Sequence, residues 1–179
     1  MLKPDNTALA IIDVQGKLAS LMHQREQLYR NLQILIRGIQ VLELPIFWLE
    51  QYPEGLGPTI HEVAELLADQ KPLPKLSFSA CGQDEFLEKL RASGRREILL
   101  AGIETHVCVY QTARDLLEQD YRVEIVVDAT SSRTPENKRV GLDKMAHAGA
   151  EMSSVEVALF ELLRTADSPR FKEVSRLIK

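Results

Sequence analysis

The feature that most constrains this chain is a repeated alternation. Short, nearly unbroken apolar runs are each followed by a stretch whose apolar residues recur at helical spacing. The runs are "TALAIID" (Thr7–Asp13), "PIFWLE" (Pro45–Glu50), "EILLAGI" (Glu97–Ile103) and "RVEIVVDA" (Arg122–Ala129). A strand with one face in water alternates polar and apolar residues. A run that is apolar at every position belongs to a strand covered on both faces. Between the runs, Gln24–Glu43 places Leu28, Leu32, Leu35, Ile36 and Ile39 on one helical face, and Gly94 closes a helix over Asp84–Ser93. His106–Gln119, a segment starting near Pro135, Val155–Thr165 and Ser168–Ile178 also read as helices, and Thr59 is positioned to cap another through Ala68. "EMSSV" (Glu151–Val155) is a weak fifth strand, and "PLPKLSFSA" (Pro72–Ala80) reads mostly as loop with a short extended piece.

Strand–helix alternation with buried strands implies a parallel sheet, and right-handed crossovers wind it open. The expected fold is α/β: a three-layer, doubly wound, mostly parallel sheet with helices on both faces. A closed eight-fold barrel needs about 200 residues or more, and the 179 residues here point to a single domain spanning 1–179.

Composition narrows the function classes. A net charge of −4 gives no electrostatic footprint for nucleic acid or an anionic membrane. No apolar stretch has the length of a membrane span, and Pro4 and Asp5 precede a short apolar run that does not resemble a secretion signal. Two cysteines, Cys81 and Cys108, do not make a disulfide framework. Reduced thiols and a cytoplasmic location are expected.

In open parallel sheets ligands bind beyond the carboxyl ends of the strands. This rule selects Asp13–Gln15, Glu50–Tyr52, Ile103–Cys108 and Asp128–Ser132. Cys108 falls where a strand gives way to a helix, and a helix start lowers a thiol pKa and offers N–H groups to an oxyanion. A small buried hydrophobe is the plainer alternative. Asp13 ends the first run: near a cysteine it is a general base, elsewhere a turn residue. Lys75 and Lys71 share one Pro-rich loop, and a buried lysine beside Asp13 would keep both charged. None of the four histidines pairs at metal-ligand spacing, and His106 reads as a residue of the pocket mouth rather than half of a Cys–His dyad. Neither a phosphate loop nor a dinucleotide fingerprint is present.

Taken together, "IIDVQ", the loop lysine and "AGIETHVCVYQTARDLLEQDYRVEIVVDATSS" resemble the isochorismatase-like cysteine hydrolases. The likeness runs from about Thr7 to Phe160, and "EQYPEGLGPT" with "KLSFSA" resembles the isochorismatase-domain-containing subgroup. The resemblance implies a triad of Asp13, Lys75 and Cys108, and it selects Lys75 over Lys71 through the following Leu76-Ser77-Phe78. It also implies a cis peptide between Ile103 and Glu104, with an oxyanion hole from the N–H groups of Glu104 and Cys108. Cleavage of a small-molecule amide through a thioester is the implied activity. Gln15, Gln51, Tyr52, Phe78 and Thr105 are the candidate substrate-binding residues. Nicotinamidases of this superfamily hold a metal through Asp-x-His after the second strand. Here Glu50-Gln51-Tyr52 stands instead, so no metal and no other cofactor is expected. The expected partners are a small-molecule substrate and further copies of the chain in a homo-oligomer, not nucleic acid or membrane. A catalytically quiet scaffold protein is the alternative, and a redox thiol protein a third reading. Cys81 is expected to be structural.

Overall fold

A computed structural model describes all 179 residues. Its centre is a sheet of six strands: β1 (Thr7–Ile12), β2 (Ile46–Gln51), β3 (Leu73–Lys75), β4 (Glu97–Ile103), β5 (Arg122–Ser131) and β6 (Glu151–Ser153). Their order is β3-β2-β1-β4-β5-β6, and every neighbouring pair is parallel. The chain winds outward from β1 to β3, returns to β4, and winds outward again to β6. The direction of winding therefore reverses between β1 and β4, where a doubly wound sheet opens a crevice at its carboxyl end.

Every residue of β1 and β4 is buried, which is why their sequences are unbroken runs. Side chains of a strand alternate between faces, so two cores form. On one face Leu9, Ile11, Leu99 and Ala101 pack against α2 (Arg25–Val41), α8 (Val155–Leu163) and α9 (Phe171–Ile178). On the other, Ala8, Ala10, Ile98 and Leu100 pack against α5 (Asp84–Ala92), α6 (Tyr110–Glu118) and Met145 of α7 (Pro135–His147). The three-layer architecture is the one the runs imply. Close β1–β4 approach needs a residue without a side chain at Gly102. Its φ is +111°, and a Cβ there would lie 2.1 Å from the Ile12 carbonyl oxygen.

Several local expectations change. The short extended piece expected within Pro72–Ala80 is a true strand, β3, pairing Leu73 with Leu49 and Lys75 with Gln51. Two prolines disguised it; Pro74, lacking an N–H, is tolerated because β3 is an edge strand. The helix expected over Thr59–Ala68 is a short α4 (His61–Ala64) running into a 3₁₀ turn at Glu65–Leu67, and the loop before it holds a further short helix, α3 (Pro53–Leu56). Thr59 caps nothing, because its N–H and hydroxyl donate to Glu50 instead. A five-residue helix, α1 (Gly16–Ser20), had no periodicity to announce it. Finally, β5 runs on to Ser131, and its pairing with β4 jumps from Leu100↔Ile125 to Gly102↔Thr130. This bulge carries Thr130 and Ser131 to the crevice.

Candidate active site

Three strand ends converge on the crevice. β1 ends at Ile12, and Asp13 turns the chain sharply with φ +53°, a left-handed conformation that aspartate tolerates better than most residues. β3 delivers Lys75. β4 ends at Ile103, the Ile103–Glu104 peptide is cis, and a π-helical turn over Thr105–Val109 presents Cys108. Asp13, Lys75 and Cys108 are 2 %, 4 % and 8 % exposed. Although separated by up to 95 positions in sequence, the three share one buried spot.

The Lys75 ammonium is fully bonded. Four acceptors surround its three N–H groups, so one is shared: Asp13 Oδ2 at 2.7 Å, Gln51 Oε1 at 2.7 Å, Phe78 O at 3.0 Å and Ser77 O at 3.2 Å. Asp13 is thereby held through one oxygen only. Its other oxygen, Oδ1, is buried and has no hydrogen-bond partner. Burial raises the Asp13 pKa, and the adjacent ammonium opposes the shift; the Cys108 thiol is close enough to act on the carboxylate as a hydrogen-bond donor.

The thiol itself departs from the expectation of a lowered pKa. Burial, and then the Asp13 charge, push Cys108 up to about 12, against partial relief from Lys75. Cys108 is the fourth residue of the π-helical turn and is itself buried, so desolvation outweighs any benefit from the helix start. The resting residue is a protonated thiol beside the Asp13 carboxylate. Cys81, half-buried, is also raised, to about 11, chiefly by burial.

The proposed pocket residues divide into two groups. Tyr52 and Phe78 are 50 % and 54 % exposed around the crevice, so Phe78 is not a core residue. Gln15 and Thr105 are completely buried. Gln15 Nε2 donates to the carbonyls of Gln51 and Gly57, and its Oε1 accepts from Gln51 N–H, so its amide is spent on fastening two loops. The Thr105 hydroxyl pairs with Thr130 at 3.0 Å. Gln51 is also committed: besides accepting from Lys75, it donates to the Leu76 carbonyl. Its role here is to hold the lysine. A cleft of about 560 Å³ lies alongside, walled by Tyr52, Pro53, Pro74, Lys75, Leu76 and Gln83, among others. Neither Asp13 nor Cys108 lines it.

The two side chains that end β2 are committed to protein partners. Glu50 turns inward to accept from Thr59, and Gln51 is bonded at both ends of its amide. Glu104, whose N–H is an expected oxyanion-hole donor, also brings a carboxylate, and this is nearly buried rather than directed to solvent. Its Oε2 accepts from Arg133 N at 3.0 Å and Arg133 Nε at 3.1 Å. The Glu104 N–H donates to no other residue. His106 Nδ1 lies 3.0 Å from the Ser132 hydroxyl. Sequence reasoning missed Arg133 entirely: a single arginine after "DATSS" carries no pattern, and its partner is 29 residues away.

The isochorismatase domain model matches residues 7–157. The chain belongs to the isochorismatase family. Among its relatives, the secreted isochorismatase effector Isc1 of Phytophthora sojae is 36 % identical over 98 % of this chain and 86 % of that protein. Isochorismatase domain-containing protein 2 of Rattus norvegicus is 33 % identical over 98 % and 82 %. Among solved structures, the MAR1 ribonuclease of Caenorhabditis elegans superposes with a TM-score of 0.90 at 37 % identity, covering 99 % of this chain and 91 % of that one. Family membership makes the chain a hydrolase. No helix is long and apolar enough to cross a membrane.

Proposed function

We propose that this isochorismatase-family hydrolase is a cysteine amidohydrolase that cleaves a C–N bond of a small molecule, with Asp13, Lys75 and Cys108 as its triad and no metal. One observation carries this reading: Asp13 is clamped by Lys75 at Oδ2 and left unpartnered at Oδ1, beside the Cys108 thiol. A base with one oxygen fixed and the other vacant is ready to accept a proton.

The reaction follows. Asp13 Oδ1 takes the proton from Cys108 Sγ as the sulfur bonds to the substrate carbonyl carbon. The carbonyl electron pair moves to oxygen, where the N–H groups of Glu104 and Cys108 receive the charge. The tetrahedral intermediate collapses: the C–N bond breaks, and the leaving nitrogen takes the proton from Asp13. A thioester remains. Asp13 then removes a proton from water as it attacks, the C–S bond breaks, and the proton returns to sulfur as the acid departs. Lys75 keeps the carboxylate ionised between steps and fixes its direction.

A thiol that rests protonated agrees with this scheme, because the thiolate is needed only when an electrophile is present. Tyr52 and Phe78 offer an apolar rim to the substrate. Assembly into a homo-oligomer in the cytoplasm belongs to the same proposal. The test is ammonia release from a panel of small primary amides. Cys108→Ala should eliminate turnover of any amide that the native protein hydrolyses, and retained turnover would remove the covalent route.

A further inference from the structure

The Glu104–Arg133 pair has no part in the scheme above, yet it adjoins the nucleophile. Glu104 is the residue immediately after β4, four positions before Cys108, and its charge is among those that act on the thiol. Its side chain is only 8 % exposed, whereas that of Arg133 is 55 % exposed. Arg133 approaches from the loop after β5, giving both its backbone N–H and its Nε to the same carboxylate oxygen. The loop and the strand end are thus tied together at a point dictated by the sheet.

Two ion pairs flank Cys108, and the buried Glu50 carboxylate, which has no cation of its own, acts on Asp13 from the end of β2. From β1 and β3 come the Asp13 carboxylate and the Lys75 ammonium, 2.7 Å apart. From the ends of β4 and β5 come the Glu104 carboxylate and the Arg133 guanidinium, 3.1 Å apart. The remaining titratable group of the turn, His106, is bonded to Ser132, and α7 meets the turn with Gly141, which carries no charge. When a proton passes from Cys108 to Asp13 the new negative charge moves onto the sulfur, toward the Glu104 carboxylate, which acts on the thiol through its charge, while Arg133 stands against that carboxylate.

We propose that Arg133 is a positioning residue for the nucleophile. By holding Glu104 Oε2 it cancels a carboxylate that would otherwise stand uncompensated beside the sulfur, and so permits the thiolate to form. This rests on the reading of Cys108 as nucleophile. Without Arg133, a nearly buried negative charge repels the thiolate through a medium that screens poorly. A direct effect of Arg133 on the sulfur is weaker, because its guanidinium is largely in solvent and salt screens it.

A double-mutant cycle separates the two routes. Cys108 is labelled with iodoacetamide at several pH values between 8 and 10 and quantified by peptide mass, with Cys81 in the same molecule reporting the overall fold. Arg133→Gln should slow Cys108 labelling by about tenfold at each pH, the effect of an unmatched neighbouring charge. Glu104→Gln alone should accelerate it. In the Glu104→Gln background, Arg133→Gln should change the rate by less than about twofold. Equal slowing in both backgrounds would show that Arg133 does not act through Glu104, and no slowing in the native background would show that it does not act on the thiol; either overturns the proposal. Labelling uses no substrate, so its outcome is independent of whether amides are turned over. The alanine variant at Cys108 decides that question separately.

Discussion

Substitution of Gly141 by alanine isolates the positioning of the nucleophile from its chemistry. Gly141 lies in α7 and faces the turn that presents Cys108. A Cβ built there meets the Thr105 carbonyl oxygen at 2.7 Å and the Cα and N of His106 at 2.8 Å. These are backbone atoms, which cannot swing aside as a side-chain tip does. Ordinary contact begins at 3.4 Å, so helix and turn must separate by roughly 0.6–0.7 Å. The effects on stability oppose one another. Alanine in place of glycine within a helix is favourable by about 1 kcal/mol. Overpacking costs about 1–3 kcal/mol. The net loss is about 0–2 kcal/mol, a fall in Tm of no more than about 8 °C for a chain of this size. The effect on rate is larger, because a displacement of about 1 Å at a reacting centre costs about 100-fold. Gly141→Ala should remain folded by circular dichroism and calorimetry while losing about 10- to 100-fold in kcat for a turned-over amide. Native turnover would refute the reasoning, since it would mean that the turn can move without consequence or that Cys108 does not act.

Other perturbations have equally definite outcomes. Asp13→Asn should abolish turnover yet speed alkaline labelling of Cys108, because the base is lost together with a charge that raises the thiol pKa; parallel changes in the two assays would contradict the assigned roles. Lys75→Met should destabilise the fold by about 3–5 kcal/mol in urea titration, as expected when a buried carboxylate loses its cation, and combination with Asp13→Asn should recover much of that loss without restoring activity. The folded pKa of Asp13 is raised above 3.8. Its contribution to stability is therefore complete below pH 3.8 and lost as pH rises through the folded value. Urea titrations of the native protein and the Asp13→Asn, Lys75→Met double variant should accordingly diverge in slope across the acidic range. Gln15→Ala removes three hydrogen bonds to backbone and should lower stability by about 2–3 kcal/mol, read as a shift in the urea midpoint.

What could be read from the chain follows from the range of the interactions involved. β1 and β4 were legible because burial on both faces leaves an unbroken apolar signature at consecutive positions. Cys108 and Asp13 were legible because the carboxyl ends of such strands are where ligands bind. β3 was obscured because its partner β2 supplies the pairing while its own prolines argue for a loop. The thiol pKa was misjudged for a similar reason: proximity to a helix start is local and visible, whereas desolvation depends on everything packed around the sulfur. Gln15 follows the first strand, but which groups its amide meets depends on Gln51 and Gly57, 36 and 42 residues away. Arg133 is the extreme case, since only the adjacency of β4 and β5 brings it to Glu104.

The margins of the sheet have a consequence of their own. β3 and β6, which form its two borders, are three residues long, and β3 contains Pro74. An open border ordinarily offers a ladder of free backbone donors and acceptors on which another molecule can extend the pleat. Here each border provides scarcely one repeat of that ladder, and a proline withholds a donor from one of them. A core of purely parallel strands, prone to self-templated fibre growth if left bare, is thus finished at both sides with hems too short to stitch onto.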